Sequence, residues 1–520
     1  MDKIIFFKLK KENNRLFFQD LETLLELKDI QYFNPIYENF DKYTNEPNTT
    51  IKSKYIIDKI KTTSNNLDEE DNNSYIKTFI DASVINVHTN KSSDLELFVK
   101  YIPILDPIEE IIKDARNINH KLPNVYNYNI SEKINNFQNS SYIDSFFTFL
   151  GSKLTESGKC PCFPIFYGTI NGMKQNYLYD LSEDYSQVKY HNNFQRNLNR
   201  NYELVIKQNN QGGSDIGSNS DSIDLQLEIM DNIEFQNIKD IIDDEYSKSL
   251  NNRKKKNLSL KSNLEEIITI NDDNYEFENI FTECEDSIKY VKFNEFPVQC
   301  VFMEKLTYTL EDLIRNDDYT ITEDEWKSIF FQICFGLAVS QKRFNFVHND
   351  LHCENIMFQE TSEEYIYYEY ENNFYKIPTF GRITKIIDFG RATFTHNNVI
   401  YFSDAFDESG DAEGQYDYPQ NNSFKGCKLK PNPSFDLARL SSTIIDYFET
   451  DTELYKLLKT WITDKYSYFL YNDPDDFELY KNIAKNVTNA VPKKQLKKTI
   501  FKNFIIKKDN VPQNIFVYTY

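Results

Sequence analysis

Along the chain, the spacing of apolar residues changes twice. From Tyr75 to Leu105, β-branched and aromatic residues fall in short runs, clearest in LELFVKYIPIL at 95–105, a spacing that predicts strands. In SSYIDSFFTFLGSKL, Ile143, Phe146, Phe147, Leu150 and Leu154 share one face at helical spacing, and CFPIFYGTI then reads as a strand. VQCVFMEKL predicts a buried strand and LEDLI a short helix. ITEDEWKSIFFQICFGLAVSQKRF predicts a long amphipathic helix opened by a Thr322/Glu325 capping box. Further on, YIYYEYENNFYKIP reads as an extended hairpin, Ile383 to Ile387 as a strand, and PSFDLARLSSTIIDYF at 433–448 as a helix capped by Ser434. The order is β-rich and then α-rich, with no fixed-period repeat.

Two stretches break the pattern. Residues 1–74 alternate apolar runs (Leu16 to Leu27, Tyr32 to Phe40) with polar ones, end in SNNLDEEDNN, and read as an N-terminal extension packed on the strand-rich region after it. Residues 205–275, with QNNQGGSDIGSNSDS and alternating acidic clusters, read as a low-complexity surface insertion, disordered or irregular.

Composition narrows the function. The 36 Tyr and 41 Phe favour a packed core, and the formal charge of -22 repels phosphate backbones and anionic membrane surfaces. The basic run from Arg253 to Lys256 sits in the polar insertion and reads as a solvated loop. Neither nucleic acid nor membrane is therefore an expected partner. The seven cysteines (160, 162, 284, 300, 334, 353, 427) are scattered without paired spacing, and no run of 18 uncharged apolar residues occurs. A reducing, intracellular setting is expected.

Chemistry concentrates in FVHNDLHCENIMF at 346–358 and ITKIIDFGRAT at 383–393. Phosphoryl transfer needs metal ions on the phosphates and a carboxylate to orient the acceptor hydroxyl. A loop Asp, an Asn five residues later and a second Asp supply those oxygens.

These residues resemble the protein kinase superfamily signature, in which an H-R-D-L catalytic loop precedes a D-F-G metal motif. The resemblance implies an α+β, two-lobed kinase-like fold, with a β-rich N-lobe at 75–306 interrupted by the insertion and an α-helical C-lobe at 307–520. It implies Asp350 as catalytic base, with Asn355 and Asp388 as Mg²⁺ ligands. Lys100 becomes the strand lysine on the ATP phosphates, and backbone groups near Glu304 and Leu306 become the adenine-binding hinge. Asp436 matches the family carboxylate that fixes the catalytic-loop backbone. For the glutamate that usually pairs with the lysine, Asp144 competes with Glu109 and Glu110.

The sequence also departs from that signature. No glycine precedes Gly151, so FIDASVINVHTNK, the stretch before Lys100, is no Gly-rich phosphate loop, and Asp81 within it adds repulsion if it points inward. Asn349 replaces the arginine that receives an activation-loop phosphate, and His352 replaces a lysine, though an imidazole can still steady a γ-phosphate. SDAFDESGDAEGQYDYP at 403–419 stands in for the activation segment, without A-P-E. Its acidity selects basic substrates or occludes the cleft.

With YFNPIYENF, KIPTFGRITKIIDFGRA and PNPSFDLARL, these peculiarities resemble the serine/threonine kinases of large nucleocytoplasmic DNA viruses. The resemblance implies an ATP- and Mg²⁺-dependent enzyme acting on a protein substrate of basic character, in the cytoplasm of an infected host cell or packaged in a virion. Two rival readings stand: a nucleotide-poor pseudokinase scaffold, from the missing glycines, and a small-molecule kinase, from His352 and the absent A-P-E.

Overall fold

The computed structural model describes residues 6–8, 15–36, 49–51, 53–67, 76–114, 121–124, 131–207, 228–229, 288–408, 410–416, 418, 430–472 and 476–520. Most of the 205–275 stretch, with the Arg253–Lys256 run, lies outside them, as do Cys284 and Cys427. The chain divides into two compact units, Met1–Ile104 with Lys121–Met173 and Pro297–Tyr520, and Leu105–His120 with Lys174–Phe296.

The main sheet is largely antiparallel. Its strands are β1 (Leu27–Gln31), β2 (Tyr55–Leu67), β3 (Ile76–Asn86), β4 (Lys91–Pro103), β5 (Phe166–Asp180) and β6 (Ile288–Glu304), ordered β1-β5-β6-β4-β3-β2. Two of these strands come from the stretch before residue 75, so the sheet begins inside what the sequence marks as an extension. Register places Thr78 opposite Val99 and Lys100 opposite Val301. Leu97 and Val99 are buried on the same face of β4, while Lys100 stands on the other, as strand alternation requires.

Phe79–Lys91, which the sequence excludes as a Gly-rich phosphate loop, is β3 and its turn into β4. In that turn Asn86 Oδ1 accepts the N–H groups of His88 and Thr89, and Asn90 takes φ 53°. Asp81 does not point inward. It is exposed, and Thr62 of β2 donates to it at 2.6 Å. β2 and β3 run antiparallel with Leu67 opposite Ile76, and Thr78 is opposite Val99, so the Leu67 and Ile76 ends of that pair stand at the Lys100 end of the sheet; 68–75 lies outside the described residues. Its sequence, DEEDNNSY, carries four carboxylates and no glycine.

Helix α1 (Ser140–Glu156) lies between β4 and β5 in the chain and is buried along most of its length. The helical half is organised by α2 (Leu310–Arg315) and α3 (Glu323–Phe344). From α3, Phe330 meets Trp461 at 5.6 Å between ring centroids, and Phe331 meets Tyr375 at 4.8 Å. Each such ring contributes about 2–3 kcal/mol when buried, which anchors the helix beneath the site.

Thr322 caps α3, its Oγ1 accepting from Glu325 N at 3.3 Å, but the predicted capping box is only half formed. The Glu325 carboxylate accepts from Tyr319 and pairs with Arg382 at 3.0 Å, because that buried guanidinium needs a counter-charge. The hairpin prediction holds. β7 (Tyr365–Tyr370) and β8 (Asn373–Pro378) pair antiparallel across Glu371–Asn372, both at positive φ as a two-residue hairpin turn demands. Helices α4 (Phe435–Ile444) and α5 (Asp476–Asn486) complete the parts that reach the site.

In the second unit, the helix Pro107–Ile112 is capped by Asp106, and the Tyr202 hydroxyl reaches the Ile111 carbonyl at 3.1 Å. Its strand Tyr202–Lys207 pairs with 288–293.

Candidate active site

Lys100 sits near the end of β4 with its side chain 24% exposed, and its ammonium lies 2.5 Å from Asp144 Oδ2 and 2.9 Å from Asp388 Oδ1. Burial works to depress the lysine pKa, yet the two carboxylates raise it above the ordinary value, so the cation is permanent. Asp144 projects from α1 and is 2% exposed. Besides Lys100 it accepts from the Phe389 N–H at 3.1 Å and, more loosely, from Thr148 Oγ1 at 3.3 Å. Of the competing carboxylates, Glu110 pairs with Lys113 at 2.7 Å, and Asp144 is the one that meets Lys100.

Asp388 differs from Asp144 in being open, with its side chain 46% exposed. The surrounding atoms work to raise its pKa, but Lys100 outweighs them and holds the carboxyl down at about 2. Its backbone is left-handed, φ 61°, which costs a non-glycine residue about 1 kcal/mol and persists because both flanks are fixed. On one side the Ile387 N–H bonds the Asn355 carbonyl at 3.1 Å and the Ile387 carbonyl meets His348 Nε2 at 2.8 Å. On the other, Phe389 is buried against Phe147 of α1, at 4.9 Å, and His348, at 5.6 Å.

The catalytic-loop stretch is held from beneath. Asp436, in the first turn of α4, accepts the His348 N–H through both oxygens, at 3.0 and 3.1 Å, and the Asn349 N–H at 3.1 Å. Burial pushes its carboxyl up to about 7 while those N–H groups favour the charged form. Ser434, expected to cap α4, does not. Its Oγ makes no hydrogen bond, and the Ser434 N–H goes to Asn432 Oδ1 at 2.9 Å.

His348 is buried and its pKa is lowered, chiefly by burial. Nε2–H therefore donates to Ile387, and Nδ1 accepts the Asp350 N–H at 3.3 Å. Asn349, at φ 66°, fits the left-handed bend as asparagine does, and its amide donates to the Arg391 carbonyl at 2.9 Å and to Thr393 Oγ1 at 3.1 Å.

The Asn355 amide nitrogen donates to the Asp350 carbonyl at 2.8 Å and lies 2.9 Å from His352 Nε2, which turns the amide oxygen, Oδ1, away from both. His352 faces Glu354 with Nδ1 at 3.7 Å. The imidazole thus orients Asn355, and its Nε2 is already engaged at the position where sequence reasoning had it steady a phosphate. An open, ionised Asp388 and an outward amide oxygen suit Mg²⁺, which takes one or two protein oxygens and completes its shell with phosphates and water. Among the described residues no cluster of three or more His, Cys, Asp or Glu side chains would hold a metal alone.

Where the sheet ends, the Glu304 N–H bonds Ile165 O at 2.9 Å, and its carboxylate takes the Ile165 N–H at 3.0 Å and the buried Lys385 ammonium at 3.1 Å. The Glu304 side chain is thereby fixed by Ile165 and Lys385, and Leu306 is buried two residues on.

Residues 310–422 match the family model of the haspin-like kinase domain. A probable serine/threonine-protein kinase of Dictyostelium discoideum is 36% identical over 103 residues, covering 18% of this chain and 8% of the relative. The serine/threonine-protein kinase haspin of Bos taurus is 33% identical over 92 residues, covering 18% and 12%. A protein of Invertebrate iridescent virus 6 is 31% identical over 101 residues, covering 16% and 17%. The viral resemblance read from sequence thus meets one viral relative, while the matches centre on haspin-like kinases. The chain spans only 8% to 12% of the length of the first two relatives. A crystallised kinase domain aligns with TM-score 0.17 and 18% identity over 31% of this chain and 47% of its own, too low to bear on the fold.

Sequence reasoning missed the groups around Asp350. Tyr480 of α5 donates to Asp350 Oδ1 at 2.6 Å, and Arg391 NH1 lies 3.4 Å from Oδ2. Arg391 is in turn tied by Nε to Asp411 Oδ2 at 3.2 Å. Only Arg391 carried a signal, by directly following Asp388-Phe389-Gly390. Asp404 holds the start of α1, taking the Ser140 N–H at 2.8 Å while its own N–H goes to Gln138 O.

Proposed function

We propose that the chain transfers the γ-phosphoryl group of Mg-ATP to serine or threonine hydroxyls of protein. The observation that carries this reading is the convergence on one cluster of Lys100, Asp144 and Asp388, drawn from a strand, a helix and a loop far apart in sequence. The match of 310–422 to a kinase family supports it.

Lys100 meets the phosphates, and Asp388 and Asn355 Oδ1 would hold Mg²⁺, which when bound would neutralise charge on them. Asp350 accepts the proton of the acceptor hydroxyl as its oxygen bonds the γ-phosphorus. The bond from that phosphorus to the β–γ bridging oxygen breaks, and ADP leaves. Backbone groups near Glu304 and Leu306 would meet the adenine ring at the hinge.

The acceptor segment is basic. Asp411 and Glu413, with Gly410, Gly414 and Lys481, line a cavity of about 480 Å³ beside Arg391. Among the described residues no helix is long and apolar enough to cross a membrane, and protein is the partner class this chemistry suits.

Incubation with γ-labelled Mg-ATP and a random lysine–serine–threonine copolymer tests the reading. Asp350→Asn is expected to lower transfer by about 10² to 10⁴-fold. Transfer unchanged in that variant would refute the assignment, and absence of Mg-ATP binding by the wild type would favour the scaffold.

A further inference from the structure

We propose that Tyr480 is a positioning residue for this transfer: its hydroxyl fixes the Asp350 carboxylate in the orientation that takes the acceptor proton. The inference rests on the kinase reading above and deepens it.

The phenol comes from α5, far along the chain from Asp350, yet its oxygen lies 2.6 Å from Asp350 Oδ1. A phenol has one proton to give. Arg439 Nε donates to that same oxygen at 2.8 Å, and a guanidinium accepts nothing, so the tyrosine proton has a single destination, Asp350. The donor persists across working pH, since burial pushes the Tyr480 pKa up to about 12.

Arg439 is itself anchored. Its NH1 donates to Ser442 Oγ at 3.0 Å, and Ser442 donates to the Arg439 carbonyl at 2.7 Å. The Tyr480 ring is buried 5.8 Å from Phe435 and lies 4.8 Å beneath the Arg439 guanidinium. Arg439, Ser442, Phe435 and Asp436 all belong to α4. One helix therefore holds Asp350 twice, through the loop backbone by way of Asp436, and through the carboxylate by way of Arg439 and Tyr480. With Oδ1 fixed and Arg391 only 3.4 Å from Oδ2, Oδ2 keeps lone pairs for a hydroxyl.

A rival geometry is that the Tyr480 hydroxyl stands where the acceptor hydroxyl belongs and blocks it. Tyr480→Phe separates the two, since it keeps the ring and deletes only the donor. Steady-state transfer from Mg-ATP to the lysine–serine–threonine copolymer is measured alongside ATP-induced thermal stabilisation. The expected result is a fall in kcat of about 10- to 100-fold, with the KM for ATP and the ATP-induced shift unchanged. Arg439→Gln, which leaves the phenol but frees its proton, falls in the same direction by less, and it carries the test if Tyr480→Phe melts early. A kcat at or above wild type in both variants overturns the proposal, and a rise identifies a block. Absence of transfer by the wild-type chain, seen before any variant is made, is instead the failure of the kinase reading.

Discussion

Around Lys100, three side chains from a strand, a helix and a loop are bound by opposite charge within 2.9 Å, and two of the three are shielded from water. Around Asp350, a neutral phenol at 2.6 Å and a guanidinium at 3.4 Å do the holding. In the first cluster, low dielectric makes each charge depend on the others, so removing one leaves a buried ion uncompensated. In the second, the partners are dipolar or looser, and losing one changes orientation more than it changes charge balance. The fold thus spends its electrostatics on the lysine side and its hydrogen-bond geometry on the aspartate side.

Breaking the charged side has the largest expected effect. Lys100→Met leaves Asp144 buried beside Asp388 without its cation, and is expected to cost about 3 kcal/mol of stability and at least about 10²-fold in transfer. Thermal melting and copolymer phosphorylation check this. A variant as stable as wild type would show that the cluster is solvated, not buried.

Asp436 joins the two sides through the loop backbone and comes next. Its folded pKa, raised to about 7 by burial, means that the protonated form is preferred in the fold. Its contribution to stability is therefore full below the ordinary carboxyl value of about 4 and lost as pH rises through about 7. Asp436→Asn is expected to flatten stability across that window, at a cost of about 1–3 kcal/mol for backbone N–H groups that an amide nitrogen cannot accept. Denaturant titrations of both proteins between about pH 4 and pH 8 read the difference, and parallel pH profiles would place the titration elsewhere.

The smallest effect belongs to the rim. Asp411→Asn removes an exposed partner of Arg391 and is expected to change stability by less than about 1 kcal/mol. Its signature is a raised KM for the basic copolymer with kcat nearly unchanged. An unchanged KM would remove the acidic cavity from substrate selection.

The contrast also explains how much could be read from sequence alone. Asp350, Asn355 and Asp388 stand in two short stretches with motif spacing, and α1 and α3 announce themselves by helical periodicity, so those elements and their order were legible. Asp144 was legible only as one of three carboxylates, because nothing linear says which reaches Lys100. Tyr480 was invisible, being one of 36 tyrosines and brought to Asp350 by tertiary packing alone. The strand pairing before Lys100 was not legible for a related reason. Two successive hairpins, β2–β3 and β3–β4, have the same alternating pattern, and without glycine nothing in sequence marks which turn lies at the Lys100 end. The predicted capping box failed where a tertiary partner outcompeted a local one, as Arg382 did for the Glu325 carboxylate.

The left-handed bend at Asn349 bears on control. Its amide ties the loop to the Arg391 carbonyl and Thr393 with uncharged bonds, where a cation would have awaited a phosphate. A phosphoryl group added to the neighbouring acidic segment would meet no guanidinium from this bend and would crowd Asp411. The geometry of this bend is thus set as the chain folds, without waiting on a phosphate at Asn349.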